Sequence, residues 1–342
     1  MKKIVFMLTA SLFVFSCTNS SSNFAVDNQI TSSEISSKSK DASDWYSKLS
    51  PELQSYYADA KGKTGSDLFE ALNKIISANN KIQGYQDSKS FMYATADNQT
   101  VNSKTGLFDA YSYVFLPGSG GNGNDYKEKA DDNKDGVSGD FVNCEHTWPQ
   151  SFFNKQMPMV ADIHHLQSTL SIPNNRRSHF PLGNVTGDVV YSTSGGSKLS
   201  LGKGNKAEFV KMINTISQKE HQSKNSANAA NLKEDLSKFA AANSMSATFE
   251  PGDQQKGNTA RAMLYFYTRY STANIRSGEF SKEEFWSSKV STFINWSEQK
   301  DRPDEQEIKR NDIVFKKQGN RNPFIDVPEF SSLIGESVFK AK

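Results

Sequence analysis

The scarcity of cysteine limits how this chain can be held together. Its 342 residues contain only two cysteines, Cys17 and Cys144, and Cys17 directly follows an apolar run near the N-terminus. If Cys17 is removed or modified with that segment, no internal disulfide can form. The fold must then depend on a hydrophobic core, for which 23 Phe, 12 Tyr and 4 Trp provide the bulk. Cys144 itself is expected to behave as a small buried apolar residue.

Residues 1–17 have the pattern of an export signal. Lys2 and Lys3 precede an apolar run that is too short to span a bilayer. The small residue before Cys17 resembles a bacterial lipobox, so lipidation of Cys17 is predicted, with an ordinary secretory signal as the alternative. Residues 18–44 are rich in Ser, Asn, Asp and Lys and are predicted to form a flexible tether. The expected location is the outer membrane or the cell surface, or otherwise the periplasm or the medium.

The overall composition excludes several classes of protein. With 36% hydrophobic and 23% charged residues, the chain is neither disordered nor collagen-like, and it is no polytopic membrane protein. A formal net charge of +2 provides no global attraction for nucleic acid, so binding of that kind needs a local basic patch. A basic segment is formed by Lys309, Arg310, Lys316, Lys317 and Arg321. It is interpreted either as a solvated face or as a surface that contacts phosphate.

Local sequence patterns predict a fold that mixes helices and strands. Apolar residues recur at helical spacing between Ser66 and Ala78. Residues 107–116 alternate and are aromatic, which is typical of a strand. Further helices are predicted at 206–219, 227–243, 258–271 and 281–297.

One acidic loop has part of a calcium-binding pattern. Asp131, Asn133, Asp135 and Gly136 follow the spacing of such a loop, but its twelfth position is Val142 rather than Glu. Because acidic, glycine-rich loops are common, an ordinary loop is the favoured interpretation.

Histidine is concentrated in two windows of the sequence, although the whole chain has only five. Residues 143–151 contain Glu145 and His146, and residues 162–178 contain His164 and His165. The order of residues does not match the H-E-x-x-H pattern of common zinc proteases, and no G-x-S-x-G elbow is present. Adjacent histidines point in different directions on a helix or a strand, so one metal shared by His164 and His165 is not expected.

The same windows fit phosphodiester hydrolysis with one hard cation. Such a site needs a carboxylate and another oxygen ligand for the cation, which Glu145 and Asn174 can supply. It needs a base for the attacking water, for which His146 is suited. It also needs a cation near the phosphate, and Arg177 is the candidate.

These residues and several others resemble the bacterial endonuclease I family of extracellular or periplasmic nucleases. The catalytic windows match as Glu145-His146-x-Trp148-Pro149, as Asp162-x-His164-His165-Leu166 and as Asn174-x-x-Arg177-Ser178. Further matches are Asp109-Ala110-Tyr111-Ser112, the segment from Phe249 to Ala262, and the segment from Gln318 to Asp326. The ordered set covers roughly residues 50–330 and is far more specific than any one motif.

The resemblance implies a fold, a reaction and roles for individual residues. The implied fold is α+β, with a ββα-metal nuclease core embedded in a largely helical single domain at 45–335 and a tail at 336–342. Glu145 and Asn174 match the family's metal ligands, and His146 matches its general base. Mg²⁺ is the implied cofactor, with Mn²⁺ or Ca²⁺ as alternatives. DNA is the implied substrate, with RNA open as a second one, and cleavage is expected to be largely independent of sequence and to leave 5′-phosphates. The protein is expected to be a monomer.

Some assignments stay open at this point. The stretch from Ser151 to Ala161, where the family carries a further arginine, has none here, so Arg177 remains a candidate for assisting the leaving group. A metal-dependent peptidase or esterase would instead need zinc held by two or three of the histidines. A non-catalytic envelope lipoprotein that binds nucleic acid would keep the fold and tolerate the loss of Glu145 and His146.

Overall fold

Short antiparallel sheets and many helices make up the fold, which confirms the predicted α+β class. The computed structural model describes residues 44–79, 81–118, 126, 140–222, 226–276 and 278–342, all of which fall in the unit Asp41–Lys342. The predicted signal with Cys17, almost all of the predicted tether and the calcium-like loop at 131–136 lie outside the described residues. No helix in the described ranges is both long and apolar enough to cross a membrane.

The strands form three antiparallel groups. The first sheet has the order β1-β2-β3, the second pairs β4 with β5, and the third has the order β6-β7-β8. The strands are β1 Gln99–Val101, β2 Lys104–Phe108, β3 Phe115–Pro117, β4 Val142–His146, β5 Leu166–Leu170, β6 Asp188–Ser192, β7 Lys198–Lys203 and β8 Ser246–Glu250.

The helices surround these strands and fill most of the remaining chain. They are α1 Pro51–Tyr56, α2 Gly65–Ser77, α3 Tyr85–Phe91, α4 Ser171–Arg177, α5 Lys206–Gln222, α6 Ser226–Ala242, α7 Lys256–Tyr270, α8 Lys282–Phe285, α9 Val290–Asn295, α10 Glu305–Gln318, α11 Pro323–Asp326, α12 Phe330–Ile334 and α13 Glu336–Ala341.

Strands β4 and β5 and helix α4 follow one another closely in space. In the β4–β5 ladder Glu145 lies opposite Gln167, and His146 lies opposite Leu166. Helix α4 begins directly after β5. Cys144 is buried on β4 as predicted, within a small core cluster that also contains Leu107 and Val314. Through this cluster, β4 packs against the helical part of the molecule.

Helix α7 is the centre of the larger core. Its predicted apolar face is fully buried, and most of the rest of the helix is buried too, including the charged Arg261 and Arg269. The ring of Trp148, just beyond β4, stacks on Phe266 with ring centres 5.2 Å apart. A helix that is surrounded on all sides can anchor several elements at once, and here it anchors the chain that follows β4.

The strand predicted at 107–116 is wrong in its middle part. The chain instead reverses between β2 and β3, with Tyr113 at a φ of 58°. Asp109 causes the reversal, because its carboxylate accepts hydrogen bonds from the backbone N–H groups of Tyr111 (3.2 Å) and Ser112 (2.8 Å). The alternating aromatic residues favoured a strand, so the turn that Asp109 forms with the backbone was not predicted.

The C-terminal segments differ from prediction as well. The helix predicted at 281–297 is divided into α8, a 3₁₀ turn at Ser287–Lys289 and α9, followed by a π-helical turn. The break occurs at Trp286, whose indole N–H donates to the carbonyl of Phe339 at 2.9 Å. Phe339 is fully buried on α13, so this helix packs against the rest of the unit.

Candidate active site

Glu145 is the charged centre of the candidate site. Its side chain is fully buried at the end of β4. Oε1 accepts a hydrogen bond from the hydroxyl of Tyr111 at 2.9 Å, and Oε2 lies 2.7 Å from Nζ of Lys233. Arg177 adds a second cation, since its Nε lies 3.2 Å from Oε1. A buried carboxylate needs such partners, because an unpaired buried charge is very costly.

His146 follows Glu145 on the strand and is held in one tautomer. Its Nε2 donates to the carbonyl of Val160 at 3.0 Å, so in the neutral ring Nδ1 carries the lone pair. Nδ1 is buried and has no hydrogen-bond partner among the described residues. Burial, together with His165 and Lys233, holds the pKa of His146 well below its ordinary value. His146 is therefore neutral at pH 7 and can accept a proton at Nδ1.

The two adjacent histidines support the site but do not share a ligand. His164 Nε2 donates to the carbonyl of Asn320 at 2.8 Å, and His165 Nε2 donates to the carbonyl of Met159 at 2.7 Å. Burial lowers the pKa of His164 to about 3 and that of His165 to about 4. The ring of His165 packs edge-on against His146 at 5.4 Å. These different partners fit the expectation that the two rings diverge.

Asn174 brings an amide to the end of β4. Helix α4 places it so that Nδ2 lies 3.4 Å from the carbonyl of Cys144, the residue before Glu145. Its Oδ1 is buried and lacks a hydrogen-bond partner in the described part of the chain. An orphaned buried oxygen is unfavourable unless a ligand satisfies it.

The donor set near Asn174 fits a hard divalent cation. Carboxylate and amide oxygens are the ligands that Mg²⁺ prefers, and Mg²⁺ commonly takes only one or two protein ligands. No group of three or more His, Cys, Asp or Glu side chains suited to a metal occurs within the described ranges. Glu145 and Asn174 supply one carboxylate and one buried amide oxygen, which are the kinds of ligand that such a cation takes.

Arg177, the predicted phosphate-binding arginine, contacts the backbone and Glu145 in this structure. Its Nη2 donates to the carbonyl of Thr147 at 2.6 Å, and its Nη1 donates to the carbonyl of Ser178 at 3.0 Å. The side chain is completely buried. Both terminal nitrogens are thus bound to backbone, and Arg177 links Glu145 to the chain that follows β4.

Sequence reasoning missed Lys233 and gave Tyr111 no role. Lys233 lies on α6, far along the chain from Glu145, and no local motif marks it. Tyr111 lies in the Asp109-Ala110-Tyr111-Ser112 motif, which was the available signal. Burial and the neighbouring Glu145 raise the pKa of Tyr111 well above its ordinary value, so its hydroxyl stays protonated and donates.

Asp162 connects the site to the helical core. Its Oδ2 accepts from the hydroxyls of Tyr265 and Tyr270, each at 2.8 Å, and pairs with Arg269 at 2.6 Å. Its Oδ1 accepts from the backbone N–H of His164 at 3.2 Å. Burial alone would raise the pKa of Asp162, but the Arg269 guanidinium and neighbouring groups hold it below its usual range.

Much of the predicted basic surface is engaged within the protein. Arg310 pairs with Asp97 at 2.6 Å, Lys317 with Asp87 at 2.8 Å, and Arg321 with Asp326 at 2.6 Å. Lys309 and Lys316 are exposed. Three of the five basic side chains therefore have acidic partners within the protein.

Comparison with known proteins provides an independent result. The family model described as Endonuclease I matches residues 64–218 and 214–329. The chain is 26% identical over 296 residues to an extracellular ribonuclease of Bacillus amyloliquefaciens, which covers 83% of this chain and 79% of the relative. It is 24% identical over 294 residues to an extracellular ribonuclease of Bacillus subtilis (strain 168), with the same coverage of 83% and 79%.

Proposed function

Because the chain belongs to the endonuclease I family, we propose that it is an exported, metal-dependent endonuclease that hydrolyses phosphodiester bonds. The observation that carries this proposal is the placement of a fixed, neutral His146 next to Glu145, with the orphaned Asn174 Oδ1 close to the same strand end. In this interpretation β4, β5 and α4 form the ββα-metal core of the family.

The proposed reaction begins at His146. Its Nδ1 takes a proton from a water molecule, and the resulting hydroxide attacks the phosphorus in line with the leaving 3′ oxygen. Glu145 and Asn174 would hold a divalent cation such as Mg²⁺, which when bound would stabilise the negative charge that develops during the reaction. Val160 keeps the lone pair on Nδ1, and Arg177 and Tyr111 keep the Glu145 carboxylate oriented. The bond between phosphorus and the 3′ oxygen breaks, and the 3′ oxygen takes a proton from solvent water, so the products carry 5′-phosphates and 3′-hydroxyls.

The proposed substrates are DNA and RNA, cleaved without strong sequence preference. The two Bacillus relatives are named extracellular ribonucleases, which supports RNA as a substrate and export as the setting. The predicted lipidation of Cys17 would attach the enzyme to the outer membrane or cell surface, and without it the enzyme would be secreted or periplasmic. We propose that the enzyme acts as a monomer.

The test is cleavage of supercoiled plasmid and of a structured RNA with Mg²⁺ and with EDTA. His146→Asn should reduce cleavage by about 10²- to 10⁴-fold, the range for loss of a general base, while nucleic-acid binding is retained. His221→Asn is the matched control, because His221 is exposed on α5 and should leave cleavage unchanged.

The outcomes separate the enzyme from the alternative. Cleavage that requires both the metal and His146 supports the nuclease. A folded protein that binds nucleic acid but cleaves neither substrate with any divalent ion would instead favour a non-catalytic binding lipoprotein.

A further inference from the structure

Lys233 is the one partly exposed cation among the ion-pair partners of Glu145 in the described residues. Its Nζ lies 2.7 Å from Oε2 of Glu145. The Lys233 side chain is 11% exposed, whereas the side chains of Glu145 and Arg177 are 0% exposed. Of these three side chains, Lys233 is therefore the one that is open in part to solvent.

Lys233 is also less firmly held than Arg177. Arg177 is fixed by the carbonyls of Thr147 and Ser178 in addition to Glu145. Within the described residues, Glu145 is the hydrogen-bond partner of Lys233 Nζ, although an ammonium has three donors. A lysine also has a flexible four-carbon stem that lets its charge move over several ångströms.

A divalent cation on Glu145 conflicts with this ion pair. The carboxylate has one negative charge and already faces the positive charges of Lys233 and Arg177. A third positive group at the same oxygens raises the electrostatic cost in a site with little water. Arg177 is bound to backbone, so Lys233 is the group that can move.

Building on the proposed function, we infer that Lys233 is a displaceable cation that competes with the metal for Glu145 and then binds the scissile phosphate. When the metal takes Oε2, the ammonium turns to the phosphodiester at the exposed edge of the site. Binding of metal and nucleic acid is then mutually favourable, because the phosphate gives Lys233 a new anionic partner. By linkage each ligand raises affinity for the other by the same factor.

The experiment measures Mn²⁺ affinity by calorimetry with the purified protein and no nucleic acid. Lys233→Met should bind Mn²⁺ about tenfold more tightly than the wild type, within the usual range of coupling between sites. The control is Lys238→Met on the same helix, because Lys238 is 60% exposed and pairs with Glu234. Its Mn²⁺ affinity should equal that of the wild type.

A second measurement tests the transfer to the phosphate. In a His146→Asn background, which prevents cleavage, a short oligonucleotide should tighten Mn²⁺ binding. Adding Lys233→Met should remove this enhancement. If Lys233→Met folds poorly, Lys233→Gln serves in its place, since an amide can still donate to Glu145 without a charge.

The result that overturns the inference is distinct from failure of the nuclease assignment. If the wild type cleaves with Mn²⁺ and Lys233→Met binds Mn²⁺ no more tightly, Lys233 is a structural partner of Glu145 and the inference is wrong. If neither protein binds Mn²⁺ and the wild type does not cleave, both the inference and the proposed function are wrong.

Discussion

The buried Oδ1 of Asn174 allows the metal assignment to be tested at a single residue. Oδ1 of Asn174 and Nδ1 of His146 are both buried without hydrogen-bond partners in the described part of the chain. Such atoms reduce stability when they are left unsatisfied. Both atoms lie near the same end of β4. Their lack of partners is expected if Asn174 Oδ1 binds a metal and His146 Nδ1 accepts a proton, at a cost in stability.

Replacement of Asn174 should therefore separate metal binding from stability. We expect Asn174→Ala to lower Mn²⁺ affinity by about tenfold or more, the effect typical of altering groups at a metal site. The free energy of unfolding of the metal-free protein should change by no more than about 1 kcal/mol, because among the described residues the side-chain hydrogen bond lost is the long one to Cys144. Calorimetry and urea unfolding measure the two effects.

The neighbouring Asn175 is the matched control. Its Oδ1 is also buried and unpartnered within the described residues, but its Nδ2 donates to Glu220 at 2.8 Å, away from the site. Asn175→Ala should destabilise the fold and leave Mn²⁺ affinity unchanged. Equal loss of metal affinity in both variants would contradict the ligand role of Asn174.

The sequence carried enough information to bring together part of this site. Glu145, His146 and Asn174 lie in motifs of specific spacing, and the structure places Asn174 beside the strand that bears the other two. The roles of Lys233 and Arg177 could not be predicted in the same way. The contact of Lys233 with Glu145 depends on how α6 packs in the tertiary structure. The orientation of the Arg177 side chain depends on hydrogen bonds to two backbone carbonyls.

At the scale of elements, long helices were easier to predict than short ones or strands. The helix predicted at 206–219 is observed at Lys206–Gln222, and the one predicted at 258–271 is observed at Lys256–Tyr270. The turn between β2 and β3 was missed, because it depends on the carboxylate of Asp109 rather than on hydrophobic periodicity. The helix predicted at 281–297 is broken at Trp286, whose indole forms a long-range hydrogen bond. Local hydrophobic periodicity contains no information about such a contact.

The turn that carries His164 and His165 depends on one carboxylate. Asp162 joins this turn to α7 through Tyr265, Arg269 and Tyr270. Asp162→Asn removes the charge while keeping the size, and should leave Arg269 without its buried partner. We expect the free energy of unfolding to fall by about 3–5 kcal/mol, the usual cost of breaking a buried ion pair, as measured by urea unfolding at pH 7.

An exposed ion pair provides the control for this variant. Asp188 lies 3.4 Å from Lys206, and the two side chains are 61% and 54% exposed. Asp188→Asn should have no measurable effect, since exposed pairs contribute little. A loss of stability no larger in Asp162→Asn than in Asp188→Asn would show that the network around Asp162 does not anchor the turn.

At the scale of the whole molecule, the buried titratable groups predict how stability depends on pH. Burial lowers the pKa of His164 to about 3 and of His165 to about 4, whereas an unfolded histidine has a pKa of about 6.5. As the pH falls below about 6.5, the unfolded chain takes up protons that the folded chain does not. The fold therefore loses stability on acidification through this range.

Asp162 extends the same trend to lower pH. Its pKa is below the ordinary value in the fold, so its contribution is present above the unfolded value of about 3.9 and is lost as the pH falls further. Acid destabilisation should thus begin near pH 6.5 through the histidines and continue below about pH 4 through this carboxylate. The two groups act in the same direction, and the whole molecule should be acid-sensitive.

The measurement is the free energy of unfolding from urea titrations between pH 7 and pH 5. Each of the two histidines should contribute a slope of about 1.4 kcal/mol per pH unit below its unfolded pKa. His165→Gln keeps a side-chain N–H that can donate to Met159, and it should reduce the total slope by about that amount. His221→Gln, at an exposed position on α5, should not. An unchanged slope in His165→Gln would mean that folding does not lower the pKa of His165, and it would contradict the pH dependence argued here.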